Sequence, residues 1–435
     1  MKQRTMGWIT VFMLFLVYGI NYLDRVALSL TAPLIQKDLG INAAQMGIVF
    51  SSFFVGYALF NFLGGLASDR LGPKLVYILA VTLWSIFCGL TAVAVGFASL
   101  VVLRVLFGMA EGPLCAAANK MVNNWMPHGI AATAVGLLSA GSPLGGAISG
   151  PIVGLLAISF GWRPAFWIIC AIGLVWALVW MVLTADHPER SRLVTSLEAA
   201  PVASRYSGKA KFGKGAGKSA STANVPLTTW LKQPLILAAA VAFFSYNYVL
   251  FFFLSWFPSY LVQAHHLDIK QMSFATVVPW LVGTIGLAMG GAISDAIFRW
   301  TGKLMLSRKI VLATCLVATG VCVALAGSVQ TAMNAVALMS VALFLLYVTG
   351  AIYWAIVQDV VHPEKVGSVS GFMHCVGSLS GVVGPAVTGL LVERTGSFAS
   401  AFVLAGAVAL AGAVLSAIFI REARTSADMH GKVFS

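Results

Sequence analysis

Charge is what this chain has least of. Only 9% of its 435 residues are charged, against about 25% in a soluble globular domain. Acidic side chains are the scarcest, 14 against 27 Lys and Arg. A water-soluble enzyme is excluded on that ground, because so few ionised groups cannot cover a folded surface in water. The net charge of +13 does not indicate a nucleic-acid binder, since the basic residues are not gathered on one polar face. Cysteine is sparse as well. Cys88, Cys115, Cys170, Cys315, Cys322 and Cys375 all lie in apolar runs and form no CxxC pair. Disulfides, a metal site and a cofactor are therefore not expected, and all six read as buried free thiols.

What the chain does have is apolar length. Hydrophobic residues make up 59% of it, and the mean hydropathy is +0.91. Twelve apolar segments can be read: 7–32, 44–68, 75–95, 98–121, 131–157, 162–184, 235–262, 272–295, 309–328, 331–357, 367–392 and 396–420. A crossing helix needs about 20 apolar residues, whereas barrel strands run about ten and alternate in polarity. The fold class is thus an all-α membrane protein with twelve transmembrane helices. The 43 glycines agree, because small residues let membrane helices approach closely.

The first apolar run resembles a signal peptide at its start, with Lys2 and Arg4. It then passes Asn21, Asp24 and Arg25 without a small-x-small cleavage site, so it reads as the first span. Counting Lys and Arg predicts the orientation. With both termini in the cytoplasm, 20 of the 27 fall on that side, and only Lys37, Arg163, Lys270 and Arg394 face outward. Residues 186–233 break the apolar pattern. This Gly/Ser-rich stretch carries the basic run 208–218 and reads as a partly disordered cytoplasmic linker. It tethers the flanking halves, with lipid head-group contact as a second role.

Those halves repeat. Gly65-x-x-x-Asp69 recurs as Gly291-x-x-x-Asp295, 226 residues on. Pro127 recurs as Pro363, Gly136 as Gly371, Gly150-Pro151 as Gly384-Pro385 and Ala165-Phe166 as Ala401-Phe402, at offsets of 234 to 236. The jump comes from a longer loop after Asp295: Lys74 follows Asp69 by five residues, and Lys309 follows Asp295 by fourteen. A single break followed by a steady offset is the mark of a duplicated six-span unit. The domains are accordingly 1–185, the linker 186–233, a second six-helix bundle at 234–420, and a cytoplasmic tail at 421–435.

Two spans, the first and the fourth, carry charge at depth. A charge at a helix centre costs roughly 2.5–3.5 kcal/mol on insertion scales, so Asp24, Arg25, Arg104 and Glu111 are kept only if they are paired and face protein or water. Arg104 and Glu111 are two turns apart and share a face with Gly108 and Cys115. Asn21, Asp24, Arg25 and Leu28 form one face of the first span. If the two faces meet, two carboxylates and two guanidinium groups line one cavity. The arginines then attract an anion and the carboxylates accept protons. Glu111, on the face of Arg104, is the expected coupling site, and Asp24 is the second. Lys120 lies near the end of its span and is expected to snorkel. The second half carries no deep charge. It offers Tyr246, Asn247, Trp280, Tyr347, Trp354, Gln358, Ser370, His374 and Ser378, and the second span adds Tyr57 and Asn61. Such groups suit a hydroxylated anion. The substrate set is therefore Arg25, Arg104, Tyr57, Asn61, Asn247, Trp354 and His374. His374 is expected either to donate to the substrate or to bond a neighbouring carbonyl.

Gly65-Leu-Ala-Ser-Asp69-Arg70-Leu-Gly72-Pro-Lys74 resembles the signature loop of the major facilitator superfamily. More narrowly, Asn21-Tyr-Leu-Asp24-Arg25, Arg104 to Pro113, Asn119 to Pro127 and Ser255 to Leu261 resemble the anion:cation symporter family. Its bacterial members import sugar acids such as galactonate, glucarate and hexuronates, and its animal members include sialin and the vesicular glutamate transporters. The resemblance implies two pseudo-symmetric six-helix bundles working by alternating access, a small organic anion as substrate and the proton as coupling ion. It implies a multi-pass protein of the inner or plasma membrane, expected as a monomer. Asp69, Arg70 and Lys74 then match the superfamily's gate contacts, with an Asp favoured at a helix N-terminus. His374 and Ser142 depart from the sugar-acid members, which carry an asparagine and a larger polar side chain near these positions. Aromatic or other carboxylates therefore stand as the alternative substrate. An uncoupled facilitator or exporter needs no titratable site, and a membrane sensor needs a signalling extension. An enzyme needs a nucleophile–base or metal constellation, which the chain does not assemble.

Overall fold

In the computed structural model, residues 3–126, 128–191, 193–194, 227–361 and 365–420 are described. Among them, twelve helices are long and apolar enough to cross a membrane. Spans 1 to 6 are Thr5–Leu39, Ala43–Asn61, Pro73–Val93, Phe97–Trp125, Thr133–Phe160 and Trp162–Leu183. Spans 7 to 12 are Pro234–Gln263, Ile269–Thr301, Leu304–Ala326, Ala332–Val360, Val366–Thr395 and Ala399–Phe419. Each matches one of the apolar segments. The first runs on past residue 32 to Leu39, because polar residues at an aqueous helix end cost nothing. The basic run 208–218, the tail 421–435, and Pro127 and Pro363 of the repeat lie outside the described residues.

The duplication is visible in the way the helices start, break and pack. Asn42 and Asp268 each cap a helix through a reciprocal box with Gln45 and Gln271, again 226 residues apart. Span 4 breaks after Glu111 at Gly112-Pro113, where proline removes a backbone donor. Span 10 breaks at the corresponding place, between Thr349 and Ile352. Tyr347 and Trp354 lie on either side of this break, and both still reach the same cluster of rings, Tyr347 against Tyr246 and Trp354 against Phe243. Spans 2 and 4 meet backbone to backbone: a Cβ on Gly56 would lie 2.1 Å from Val105 O, and one on Gly108 would lie 2.0 Å from Phe53 O. Spans 8 and 10 repeat that contact through Gly286 and Gly290, 2.3 Å from Phe344 O and Val348 O.

The described chain divides into two compact units that do not follow the sequence halves. One comprises 1–219 with 253–281 and 382–398, and the other comprises 220–252, 282–381 and 399–435. Within the first unit, the reason is a tight seal at the end carrying the Leu39–Ala43 turn. Positions for a Cβ on Gly47 and Gly389 fall 2.5 Å from Pro385 O and 2.4 Å from Ala43 O. Trp256 donates from Nε1 to Pro385 O at 3.0 Å, and Ala386 N donates to Ser51 Oγ at 3.0 Å. Trp280 closes the same region. Its ring lies against Gly146, edge-on to Tyr22 at 5.6 Å and to Phe253 at 5.2 Å. Trp280 is 2% exposed.

Candidate functional site

The charged faces of spans 1 and 4 do meet, but with other partners than their spacing suggests. Arg25 Nε donates to Glu111 Oε1 at 2.5 Å, and Asn21 Nδ2 donates to the same oxygen. Glu111 is fully buried. Beside the pair, the Arg25 guanidinium lies 4.8 Å from the Phe53 ring centroid, 4.9 Å from that of Tyr57 and 5.7 Å from that of Tyr22. An aromatic wall of this kind favours a cation over its faces. Glu111 thus belongs to Arg25, not to Arg104 as the shared face of span 4 suggested. A helical face says which way a side chain points and leaves open which neighbouring helix arrives there.

Arg104 is 5% exposed and stacks 5.2 Å from Phe107. Its Nε and Nη2 have no hydrogen-bond partner among the described residues. Asp24, Glu111 and Cys88 are within electrostatic reach of it, but none forms an ion pair with it. Two buried donors left open on a guanidinium present the fork that a carboxylate fills bidentately.

Asp24 leaves the face shared with Arg25. It is 1% exposed, and its Oδ1 accepts from the Cys88 thiol of span 3 at 3.8 Å, while Oδ2 has no hydrogen-bond partner among the described residues. Residues 24 and 25 lie about 100° apart on a helix, enough to aim one at span 3 and the other at span 4. Cys88 was therefore more than a packing thiol. Cys375, expected to be buried, is exposed, and Cys115, Cys315 and Cys322 are half-buried. Asn61 lies on span 2 beside Gly112.

In the second unit, the expected polar and aromatic residues form a ring cluster. Phe243 stacks on Tyr246 at 5.8 Å and meets Tyr353 and Trp354 edge-on, each at 5.1 Å. Trp354 stacks on His374 with centroids 4.6 Å apart. Among the described residues the His374 ring makes no hydrogen bond, so the carbonyl-bonded arrangement does not occur, and the ring remains accessible. Asn247 Nδ2 donates to Phe243 O at 2.7 Å, which leaves its amide oxygen as the free end. Tyr353 and Phe243, central to the cluster, were not singled out from the sequence. Their signal was the aromatic run around Asn247.

The signature loop is also partnered differently. Asp69 stands in the last turn of the Ala43–Leu71 helix, not at a helix N-terminus, and Lys120 Nζ reaches it at 2.6 Å. Lys120 is thus an ion-pair partner and not simply a snorkelling side chain. The helix N-terminus at Pro73 is served by Asp186, whose Oδ1 accepts from Lys74 N at 2.8 Å. Gly72 stands beside it at φ 84, a left-handed conformation that suits glycine. Asn124 Nδ2 and Trp125 Nε1 hold the Asp186 and Ala185 carbonyls at 2.9 and 2.8 Å. Arg70 is exposed. In the second unit Arg308 takes the corresponding role, 3.8 Å from Asp295, 3.5 Å from Asp359 and 2.8 Å from Ser294 Oγ.

Comparison with known proteins agrees with this architecture. Residues 14–385 and 299–432 match the Major Facilitator Superfamily. The chain is 49% identical over 413 residues to a hexuronate transporter of Bacillus subtilis, covering 94% of each protein. It is 32% identical to a probable galactarate/D-glucarate transporter, GudP, of Escherichia coli, covering 94% of this chain and 92% of that protein. In fold it resembles a bacterial homologue of the human lysosomal transporter Spinster, crystallised inward-facing and occupied. The TM-score is 0.72 at 18% identity, over 94% of this chain and 95% of that one.

Proposed function

The chain belongs to the major facilitator superfamily, and from that premise we propose that it imports a hexuronate-like sugar acid together with protons. The observation that carries this reading is Arg104, a buried guanidinium with two open donors on the span whose Glu111 already engages a second arginine, Arg25. The relatives named above supply the substrate class. Arg104 takes the substrate carboxylate first. As the anion draws in Arg25 as well, Glu111 loses its partner and becomes the group that accepts a proton. Anion and proton then favour each other's binding, as linkage requires. Asp24, set apart against Cys88, is the second proton site. Asn247, Trp354 and His374 are the second unit's substrate-contacting residues, polar and aromatic groups suited to a hydroxylated acid, and Tyr57 and Asn61 belong with Arg25 in the first unit. Asp69, Arg70 and Lys74 belong to the switching machinery. The protein works as a monomer in the inner or plasma membrane with both termini in the cytoplasm, and the proton is its only coupling ion.

The test is uptake of radiolabelled glucuronate and galacturonate into proteoliposomes with an imposed inward proton gradient. Accumulation above the external concentration, abolished by a protonophore, is the expected result. Equilibration without accumulation would reduce the protein to a facilitator, and binding without flux would make it a sensor. The ring cluster around Phe243 favours one second reading, an aromatic carboxylate, and a competition panel with aromatic acids decides between the two.

A further inference from the structure

The second half departs from the first directly after its signature aspartate, and nothing in the transport reading uses the departure. After Asp69 the helix stops at Leu71, with Gly72 at φ 84. After Asp295 it runs on to Thr301 before its terminating glycine, Gly302, at φ 66. The glycine thus comes four residues later, one additional turn, or about 6 Å of rise. That turn has an unusual surface. Trp300 is 92% exposed and Phe298 is 38% exposed. Arg299 and Lys303 are exposed beside them, and their side chains make no ion pair among the described residues. The segment from Ala296 to Lys303 contains no acid, and Asp295 is held by Arg308.

We infer that this extra turn is an anchor for anionic phospholipid head groups, with Trp300 in the interfacial layer and Arg299 and Lys303 on the phosphates. Three features argue for a lipid occupant. The turn is continuous with a membrane-spanning helix, and the interfacial layer adds about 5–7 Å on each side of the hydrocarbon, the depth that the extra turn provides. Tryptophan prefers that layer, where an apolar ring with a polar N–H is best accommodated. The charge is of one sign and complements anionic lipid, and basic residues concentrate on the membrane face that carries the N-terminus. The first half has no counterpart to Trp300, because its helix ends at Leu71, one turn earlier relative to the signature aspartate.

The test uses the full chain reconstituted in phosphatidylcholine vesicles containing phosphatidylglycerol brominated near the glycerol. The fluorescence difference between wild type and Trp300→Phe isolates Trp300 from the other tryptophans. Quenching of that difference by brominated phosphatidylglycerol, and less by brominated phosphatidylcholine, is the expected outcome. In native mass spectrometry Arg299→Gln and Lys303→Gln should each lower retention of phosphatidylglycerol about fivefold, while both variants still take up substrate. An unquenched Trp300 would overturn the inference and point to a protein partner on this turn. Equal quenching by both lipids would overturn its anionic specificity.

Discussion

The first six spans bury charge, and the last six bury rings. Asp24, Arg104 and Glu111 are at most 5% exposed and Arg25 is nearly as enclosed. In spans 7 to 12 the described ionised groups lie at helix ends, and the interior polar residues gather around Phe243, Tyr353, Trp354 and His374. Yet both halves use the same scaffold: capped second helices, a fourth helix broken at matching positions, and glycine contacts between the second and fourth. Duplication therefore preserved the parts that set helix approach and let the side chains in the interior diverge. A charge is tolerated in a membrane interior only with partners around it, so the charged half is constrained by pairing. The aromatic half is constrained mainly by shape.

That asymmetry yields an ordered set of tests. The largest effect is expected at Glu111. Glu111→Gln should abolish accumulation driven by a proton gradient while counterflow exchange persists, and a variant that still concentrates substrate would remove the coupling role from this carboxylate. Arg104→Ala comes next. Losing a buried charge partner costs about 2–5 kcal/mol, or upward of about 30-fold in affinity. Isothermal titration against a hexuronate measures it, with a melting curve to confirm folding. Arg104→Lys should also fail if the contact is a bidentate fork.

Breaking the scaffold should hurt both halves alike. Gly108→Val and Gly286→Val each drive a side chain into backbone of a facing helix and should cost about 3 kcal/mol or more in thermal stability. Gly291→Ala, which meets nothing within 4 Å, should be neutral. Unequal losses at Gly108 and Gly286 would show that the shared scaffold supports the halves differently. In the aromatic half His374→Asn should reorder preferences among hydroxylated and aromatic acids in a competition panel by about tenfold or less, since one polar contact is worth about 1 kcal/mol. An unchanged ranking would place substrate choice on Trp354 and Asn247 instead. The smallest effect belongs to Lys120→Gln. Its partner Asp69 is 72% exposed, and an exposed pair contributes about 1 kcal/mol or less. A change in transport rate well beyond its change in melting temperature would assign that pair to switching.

Sequence alone determined the number of spans, the duplication and which residue types had to be enclosed. These properties are one-dimensional: a bilayer of fixed thickness reads apolar length, and a repeat is preserved as an offset. Sequence also identified Asp24, Arg25, Arg104 and Glu111, because an ionised residue in an apolar run is costly wherever the run folds. It could not pair them. Glu111 is joined to Asn21 and Arg25, 90 and 86 residues away, and Arg104 is left with open donors. Those outcomes depend on how spans 1, 3 and 4 approach one another, and Gly56 and Gly108 bring span 2 against span 4 by backbone contact beside them. The same limit explains Asp186, which is unremarkable at the start of a linker until the chain folds it onto the N-terminus of span 3, and Cys88, which becomes a hydrogen-bond donor only because Asp24 turns toward it. Periodicity fixes the direction of a side chain about its own helix axis, and only tertiary packing decides what stands there.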